Sequence, residues 1–232
     1  MAGQTIYVTG EYLAKNPAWH AEESPWKARQ IIRMLRQNQL APKSVGDVGC
    51  GTGEVLKQLQ KYLGSDCLFW GYDISPQALE LAKCRANDRL QFKLADFGEE
   101  KDRFFDLLLV LDVIEHLEDY FSFLRRLRTA GRYKIFHIPL DLSLQTVFRE
   151  NALLKRRDMY AHLHYFTKET ALRILVDTGY EVLDYFYTQR SIEFASTPGE
   201  MILKLPRKLC FAVHKELAAR LLGGFSLLVL AR

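Results

Sequence analysis

The sequence lacks the features that mark membrane-spanning, secreted and zinc-ribbon proteins. Its longest apolar runs, Phe104–Leu111 and Leu221–Ala231, are too short to cross a bilayer and instead predict buried strands. Only four cysteines occur and none forms a C-x-x-C pair, which argues against a zinc site and indicates free thiols in a reducing compartment. The first thirty residues mix charged and aromatic side chains, so we expect no signal peptide.

A large excess of charge of one sign is also missing. The formal net charge of +4 is well short of that of a dedicated nucleic-acid binder. We therefore expect a cytoplasmic protein without a nucleic-acid partner and without stable membrane insertion. The 232 residues, 48% of them hydrophobic, suit one α/β domain with small additions. The sequence does not define an oligomeric state.

The stretch Ser44–Glu54 carries three glycines at alternate positions, between a short apolar strand and the start of a helix. This arrangement lets a backbone lie directly against a ligand, because glycine has no Cβ. A dinucleotide-binding loop would need a glycine in place of Glu54, and the G-K-[ST] of a P-loop is missing. The loop therefore favours a ligand without phosphates, and Asp47 and Glu54 favour one with positive charge. An ordinary glycine-rich turn is the alternative.

An acidic residue follows the second predicted strand. Residues 67–72 predict a buried strand, and Asp73 comes 20 residues after Gly53. At this spacing a carboxylate at the tip of the strand can accept two hydrogen bonds from a ribose diol. The alternative is an aspartate in a solvated turn.

Strands and helices alternate from the glycine loop onward. The apolar segments predict roughly seven strands, with helices between the first five. This alternation predicts an α/β fold, namely a Rossmann-like, seven-stranded, mostly parallel sheet with helices on both faces.

The run Asp47–Gly53, Asp-x-Gly-x-Gly-x-Gly, resembles the first motif of the class I S-adenosylmethionine-dependent methyltransferases. Asp73, Asp96-Phe97 and the segment Leu111–Leu117 match further motifs of that family in the same order. With His164–Thr167, the chain is similar to the small-molecule branch that includes ubiquinone-biosynthesis O-methyltransferases. The resemblance covers about residues 26 to 232.

The resemblance implies that the last strand is inserted antiparallel and that S-adenosylmethionine is the cofactor. It further implies methyl transfer to an oxygen or nitrogen of a small-molecule acceptor. An acidic residue after the third strand meets the adenine amino group in this family, with an apolar neighbour on the ring. The cofactor-binding residues that we expect are Asp47, Gly49, Cys50, Gly51, Gly53, Asp73, Ile74, Asp96, Phe97 and Leu111.

A single methyltransferase domain, 1–232, is therefore the expected organisation. Residues 1–40 would form an N-terminal lid or helical segment, 41–139 the cofactor-binding half and 140–232 the substrate-side half. The substrate-side half carries insertions at about 140–165 and 188–222. The first insertion is basic, and it either faces the acceptor or forms a solvated loop with an exposed helix.

The segment after the fourth strand admits several interpretations. Asp112 and Glu115 have the spacing of a capping box, which would close a helix N-terminus. On such a helix they would share a face with His116 and Asp119, which could bind a divalent cation. We assign no metal. His116 and His164 are the candidate general bases because histidine titrates near neutral pH, although an acidic phenol or an amine needs no base.

The sequence allows two roles for the N-terminal segment and two for the basic helix near the C-terminus. Tyr12, Trp19, His20 and Trp26 would contact the ligand if residues 1–25 form a lid, and would pack on the domain if they form a wrapped surface segment. Lys204–Leu222 predicts a basic helix with an apolar stripe, which we expect to face the core. Contact of the stripe with an anionic membrane is the alternative.

Two other functions fit the same residues. A non-catalytic protein that binds S-adenosylmethionine or its demethylated product would keep the whole cofactor site. An RNA methyltransferase would use the basic insertion, and its binding to RNA would depend steeply on salt.

Overall fold

The computed structural model describes residues 2–19, 21–100, 103–194 and 198–232. Within them, seven strands form one sheet in the order β3-β2-β1-β4-β5-β7-β6. The strands are β1 (Ser44–Val48), β2 (Leu68–Asp73), β3 (Leu90–Leu94), β4 (Phe105–Leu111), β5 (Gly131–Pro139), β6 (Val182–Thr188) and β7 (Ser226–Ala231).

The first five strands run parallel, and β7 lies antiparallel between β5 and β6. This arrangement confirms the predicted fold class, including the inserted last strand. The apolar run in β7 is buried along its whole length because strands on both sides and helices on both faces cover it.

Twelve α-helices occur in the described part of the chain. They are α1 (Ala2–Thr9), α2 (Glu11–Lys15), α3 (Ser24–Gln37), α4 (Glu54–Leu59), α5 (Pro76–Ala82), α6 (Tyr120–Leu127), α7 (Leu144–Phe148), α8 (Ala152–Tyr160), α9 (Lys168–Asp177), α10 (Arg190–Glu193), α11 (Pro198–Val213) and α12 (Lys215–Leu222).

Two apolar cores cover the two faces of the sheet. On one face, helices α3 and α4 bury Ile31 and Leu56 against strand residues such as Leu109. On the other face, Leu124 of α6 and Leu175 of α9 pack with side chains from β4, β5 and β7. Each helix presents one apolar stripe to the sheet, so the alternating pattern of the sequence translates directly into three layers.

The capping prediction for Asp112 and Glu115 is wrong. The chain forms only a short 3-10 turn over Ile114–His116, and α6 begins later, where the Asp119 carboxylate accepts from the Ser122 N–H at 3.0 Å. Asp112, Glu115, His116 and Asp119 therefore share no α-helical face.

The predictions for the C-terminal third also need correction. The basic helix is two helices, α11 and α12, because His214 interrupts it and caps α12 by accepting from the Leu217 N–H. The apolar stripe does not face the core: all five of its predicted members are exposed, namely Leu205, Leu209, Val213, Leu217 and Leu221. The insertion at 188–222 contains α10, α11 and α12, and the insertion at 140–165 contains α7 and α8. No helix among the described residues is both long and apolar enough to cross a bilayer.

Candidate active site

The glycine loop after β1 is fixed by backbone hydrogen bonds and by side chains that pack closely against its glycines. The N–H groups of Gly49 and Cys50 both donate to the Tyr72 carbonyl, at 2.8 and 3.0 Å. Gly51 has φ +54°, and a Cβ there would lie 2.7 Å from the Trp19 ring. These amides are already used within the protein, so the loop is not an anion cradle and suits a ligand without phosphates.

Two cavities meet at Gly49. The Asp73 cavity, of about 320 Å³, lies over the ends of β1, β2 and β3. The Glu115 cavity, of about 360 Å³, lies between the glycine loop, the N-terminal segment and α8. Of the predicted cofactor residues, Gly49, Asp73, Ile74, Asp96 and Phe97 line the first, and Asp47, Gly49, Cys50, Gly51 and Leu111 line the second.

Gly53 is the one predicted cofactor residue that lines neither cavity. It is the N-cap residue of α4, and a Cβ at this position would overlap the Phe92 ring of β3. The third glycine of the motif therefore permits close packing of helix on sheet.

The Asp73 carboxylate is buried and fixed by backbone donors. Its Oδ2 accepts from the Gly51 N–H and its Oδ1 from the Ser75 N–H, both at 2.8 Å. Burial raises the pKa of this carboxyl, and the backbone hydrogen bonds oppose that rise. Each oxygen keeps a further lone pair for a donor in the cavity.

Asp96 and Phe97 stand at the far wall of the Asp73 cavity. Asp96 caps a short 3-10 turn because its Oδ1 accepts from the Gly98 N–H at 2.9 Å. Phe97 is largely buried, with its ring centroid 4.7 Å from that of Tyr72. The cavity thus pairs an acidic edge with an apolar wall.

Asp47 places a carboxylate beneath the glycine loop. It is 2% exposed, and its Oδ1 has no hydrogen-bond partner within the described residues. Burial, with a further contribution from Asp73, raises the pKa of Asp47 to about 8. An unpartnered buried oxygen at a cavity wall is a site for a cationic or hydrogen-bond-donating group.

Asp112 is the centre of an ionic network and not a helix cap. It has φ +54°, and its carboxylate lies 2.7 Å from Lys27 Nζ and 2.6 Å from His137 Nδ1. Burial alone would raise the pKa of Asp112, but His137 and Lys27 outweigh it and hold that pKa well below its usual range. Arg190 joins the network through Glu23.

Glu115 is completely buried and faces the Glu115 cavity. Neither of its carboxylate oxygens has a hydrogen-bond partner in the part of the chain that the structure describes. Its backbone carbonyl accepts from the N–H groups of Leu163 and His164 at 2.7 and 3.1 Å. Burial, and then the negative charges of Asp112 and Asp141, raise the pKa of Glu115 well above its usual value.

His116 and His162 stand beside Glu115. The Nδ1 atom of His116 lies 3.2 Å from the Ala161 carbonyl, so the ring donates there and Nε2 is left as an acceptor 3.8 Å from Glu115 Oε1. Burial, followed by the neighbouring His162, lowers the pKa of His116 to about 4. His162 is oriented by Asp141, whose Oδ2 lies 2.6 Å from its Nδ1.

The same three side chains form a set that can hold a metal ion. One ligand atom each from Glu115, His116 and His162 lies within 4.8 Å of the others. A carboxylate and two imidazoles suit a divalent transition metal or zinc. His162 could not be joined to this set from sequence, because 46 intervening residues separate it from Glu115.

The structure does not bring the second candidate base, His164, to either cavity. Its Nε2 lies 2.9 Å from the Leu117 carbonyl, and its ring packs edge-on against Tyr120. His162 contacts Asp141, so the two side chains point to different environments although only Leu163 separates them. His164 contributes to the site through its backbone N–H, which supports the Glu115 carbonyl.

The N-terminal segment lies across the glycine loop. Tyr12 and Trp19 line the Glu115 cavity, with ring centroids 4.9 Å apart. Asn16 Nδ2 reaches the Met159 carbonyl of α8, and Gln77 Nε2 of α5 donates to the Val8 carbonyl. Trp26 instead packs edge-on against His137, and His20 lies outside the described residues.

A family model for a methyltransferase domain matches residues 19–185 of this chain. The match covers more than half of the sequence and includes the whole lining of the Asp73 cavity and most of that of the Glu115 cavity. The chain belongs to this methyltransferase family.

Curated methyltransferases match the chain over shorter segments. Norajmaline N-methyltransferase of Rauvolfia serpentina is 33% identical over 93 residues, which cover 37% of this chain and 31% of that protein. The ubiquinone biosynthesis O-methyltransferase of Azorhizobium caulinodans is 35% identical over 89 residues, which cover 34% and 32%. The matched segments thus span about a third of the length of each relative.

Solved structures share the fold over nearly the whole chain. The N-methyltransferase NodS from Bradyrhizobium japonicum WM9, in complex with S-adenosyl-L-homocysteine, matches with a TM-score of 0.58 and 16% identity. The match covers 89% of this chain and 85% of that one. At this identity the likeness supports the architecture of the methyltransferase fold.

Proposed function

We propose that this methyltransferase moves a methyl group from S-adenosylmethionine to an oxygen or nitrogen of a small-molecule acceptor. The observation that carries the proposal is the junction of the two cavities at Gly49. A cofactor lying in the Asp73 cavity would present its reactive centre at this junction, next to Glu115 and His116. A binding protein would need no cluster of buried titratable groups at that point.

The Asp73 cavity fits an adenosine. Asp73 is fixed by two backbone donors and can still accept from two ribose hydroxyls, which are the donors of a diol. Asp96 supplies an acceptor for an exocyclic amino group, while Ile74 and Phe97 provide apolar contact for a purine ring.

Asp47 fits the charged end of the same ligand. Its Oδ1 is buried without a partner in the described part of the chain, and burial raises its pKa to about 8. An ammonium group nearby would favour the ionised carboxylate and supply the missing donor. Gly49 and Gly51 let Val113 and Trp19 pack against the loop, because a Cβ on either glycine would lie 2.7 to 2.8 Å from these side chains.

When bound, S-adenosylmethionine supplies a methyl group that its sulfonium makes electrophilic. The protein then has to align the acceptor, exclude water and remove a proton. Tyr12 and Trp19 cover the junction and would exclude water. His116 Nε2 would take the proton of a hydroxyl acceptor, since its Nδ1 already donates to the Ala161 carbonyl.

Glu115, His116 and His162 also fit a divalent cation. Such an ion would lower the pKa of an acceptor hydroxyl and fix its position, which would reduce the need for a base. Treatment with EDTA distinguishes the two mechanisms. Loss of transfer that Mn²⁺ or Zn²⁺ restores supports the metal, and unchanged transfer supports His116 as the base.

The acceptor is a small molecule in this proposal. The Glu115 cavity of about 360 Å³ has the size of a small-molecule site and is lined by both acidic and basic side chains. The basic ones come mainly from the insertion at 140–165, namely Arg149, Lys155 and Arg156, together with Lys27 and Arg190. We infer a cytoplasmic location from the four free cysteines, and cell fractionation tests this directly.

Thermal unfolding with added ligand tests the cofactor assignment. A ligand at about a hundred times its dissociation constant should add roughly 2.7 kcal/mol of stability, or about 5–10 °C for a chain of this size. S-adenosylmethionine and S-adenosylhomocysteine should produce this shift and NAD should not. The variant Asp73→Asn should lose it.

Asp106→Asn is the matched control. The Asp106 carboxylate also accepts from two backbone N–H groups, those of Lys43 and Ser44, but it lies at the opposite end of the sheet. It should keep the full ligand shift. Absence of any shift with the adenosyl ligands would overturn the proposed function. A shift without product from any acceptor would identify a binding protein.

A further inference from the structure

Helix α11 carries an apolar stripe that nothing in the described chain covers. Leu205, Leu209 and Val213 follow each other at intervals of four residues and are 63%, 59% and 87% exposed. Ile202, one turn earlier, is also exposed. Contact between water and a row of large apolar side chains is unfavourable. Such a row therefore indicates a surface that another apolar partner covers.

The neighbouring helices extend this apolar surface. Helix α12 packs on α11 and contributes the exposed Leu217 and Leu221. Helix α7 packs on α12 and contributes Val147 and Phe148, the latter 81% exposed. Three adjoining helices therefore expose apolar side chains, which we call the α7–α11–α12 surface.

The surface is flanked by positive charge. Residues 198–222 contain five basic side chains and two acidic ones. Arg207 is buried and Arg220 is ion-paired with Glu169, as Glu216 is with Lys168 of α9, so the positive charge at the surface comes from Lys204, Lys208 and Lys215. Lys204 and Lys208 lie one residue before Leu205 and Leu209, and both are exposed. Lysines at the border of an apolar stripe are the pattern of a helix that lies in the headgroup region of an anionic membrane.

The surface adjoins the site. Ile202 and Leu203 of α11 line a further cavity, of about 410 Å³, together with Arg149 and Arg156. Both arginines also line the Glu115 cavity. One edge of the α7–α11–α12 surface is therefore continuous with the wall of the acceptor site.

We propose that the α7–α11–α12 surface docks this methyltransferase on the surface of an anionic lipid bilayer, with the apolar side chains at the acyl boundary and the lysines among the headgroups. The site then opens toward the lipid, which favours an acceptor with an apolar tail. The acceptor class rests on the proposed function, whereas docking does not. A second copy of the chain fits the surface less well, because a two-fold contact would bring the two sets of lysines together.

Co-sedimentation with vesicles tests the proposal in the absence of cofactor and acceptor, so failure of methyl transfer cannot affect it. The vesicles contain either phosphatidylcholine alone or phosphatidylcholine with about a third phosphatidylglycerol. The protein should sediment with the anionic vesicles, and added salt should weaken this binding. Equal binding to both, or to neither, overturns the proposal.

Variants locate the surface. Leu205→Ser combined with Leu209→Ser should lower binding by about tenfold or more, because two apolar contacts are lost. Leu81→Ser combined with Leu94→Ser is the control, because these leucines are also exposed, at 40% and 54%, but lie on α5 and β3. Lys204→Gln combined with Lys208→Gln should reduce the preference for anionic vesicles. All three should retain the unfolding temperature of the parent.

Sedimentation velocity tests the alternative that a second copy of the chain covers the α7–α11–α12 surface. The parent chain should be a monomer at the concentrations used for vesicle binding. A dimer that Leu205→Ser and Leu209→Ser convert to a monomer, with no vesicle binding by the parent, would overturn docking on lipid and assign the surface to a second copy.

Discussion

The two cavities that meet at Gly49 are built in different ways. The five predicted cofactor residues of the Asp73 cavity lie at the ends of three neighbouring parallel strands, β1, β2 and β3, within residues 49–97, and Glu118, Asp119 and Arg126 complete its lining after β4. The Glu115 cavity takes its residues from the N-terminal segment, the turn after β4, α8 and the start of α10. The difference indicates that the cofactor side is encoded locally, whereas the acceptor side is assembled by long-range contacts.

Replacing His116 tests this division most strongly. His116→Ala should reduce methyl transfer by about 10²–10⁴-fold, because the base or metal ligand at the junction is lost. The affinity for S-adenosylhomocysteine, measured by calorimetric titration, should stay within a few-fold. His164→Ala is the matched control and should keep most activity, since that ring faces Leu117 and Tyr120. Loss of cofactor binding in His116→Ala would contradict separate roles for the two cavities.

The second prediction concerns the network around Asp112, which ties α3 to the site. Lys27→Met leaves a partly buried carboxylate with one fewer partner and should lower the free energy of unfolding by about 2 kcal/mol. Lys43→Met removes a lysine whose pair with Asp66 is largely exposed, and should cost less than about 0.5 kcal/mol. Equal effects in urea titrations of the two variants would show that the network does not stabilise the fold.

The third prediction uses the raised pKa of Asp47. Burial raises this pKa from 3.8 to about 8, so the folded protein without cofactor binds a proton that the unfolded chain has released. Its contribution to stability should therefore decline as the pH rises from about 4 to about 8, by at most about 1.4 kcal/mol per pH unit. Asp47→Asn should remove that decline. Identical pH profiles of the free energy of unfolding would contradict the assignment.

The smallest effect is expected from the N-terminal segment. Trp19→Ala removes the ring that covers Gly51, and it should speed the release of S-adenosylhomocysteine a few-fold in stopped-flow experiments. Tyr62→Ala, which changes an exposed aromatic residue beyond the end of α4, should leave the release rate unchanged. Slower release from Trp19→Ala would mean that this ring does not close the site.

The sequence predicted the fold and five of the residues that line the Asp73 cavity. Asp73 and Asp96 could be placed because the carboxyl ends of parallel strands meet at one edge of a sheet, so spacing along the chain determines position in space. The side chains of Ser75 and Thr167 cap α5 and α9, and each accepts from a backbone N–H only three residues further along the chain. Gly53 shows the limit: the motif groups it with the other glycines, but its role is to pack α4 on β3.

The acceptor side could not be predicted in the same way. Asp112 and Glu115 have the spacing of a capping box. In the structure, however, Asp112 is ion-paired with Lys27 and His137, and the backbone carbonyl of Glu115 accepts hydrogen bonds from the peptide after α8. His116 and His162 meet only because α8 returns the chain to the turn after β4. The apolar stripe on α11 has the spacing of a helix that faces a protein core. Spacing alone does not tell whether protein or lipid covers the stripe.

A crystal structure with S-adenosyl-L-homocysteine tests the central claim most directly. The adenosine should lie in the Asp73 cavity with both ribose hydroxyls on Asp73, the ammonium near Asp47, and the sulfur at Gly49 facing Glu115 and His116. A ligand bound elsewhere, or a sulfur that faces away from the Glu115 cavity, would contradict the account.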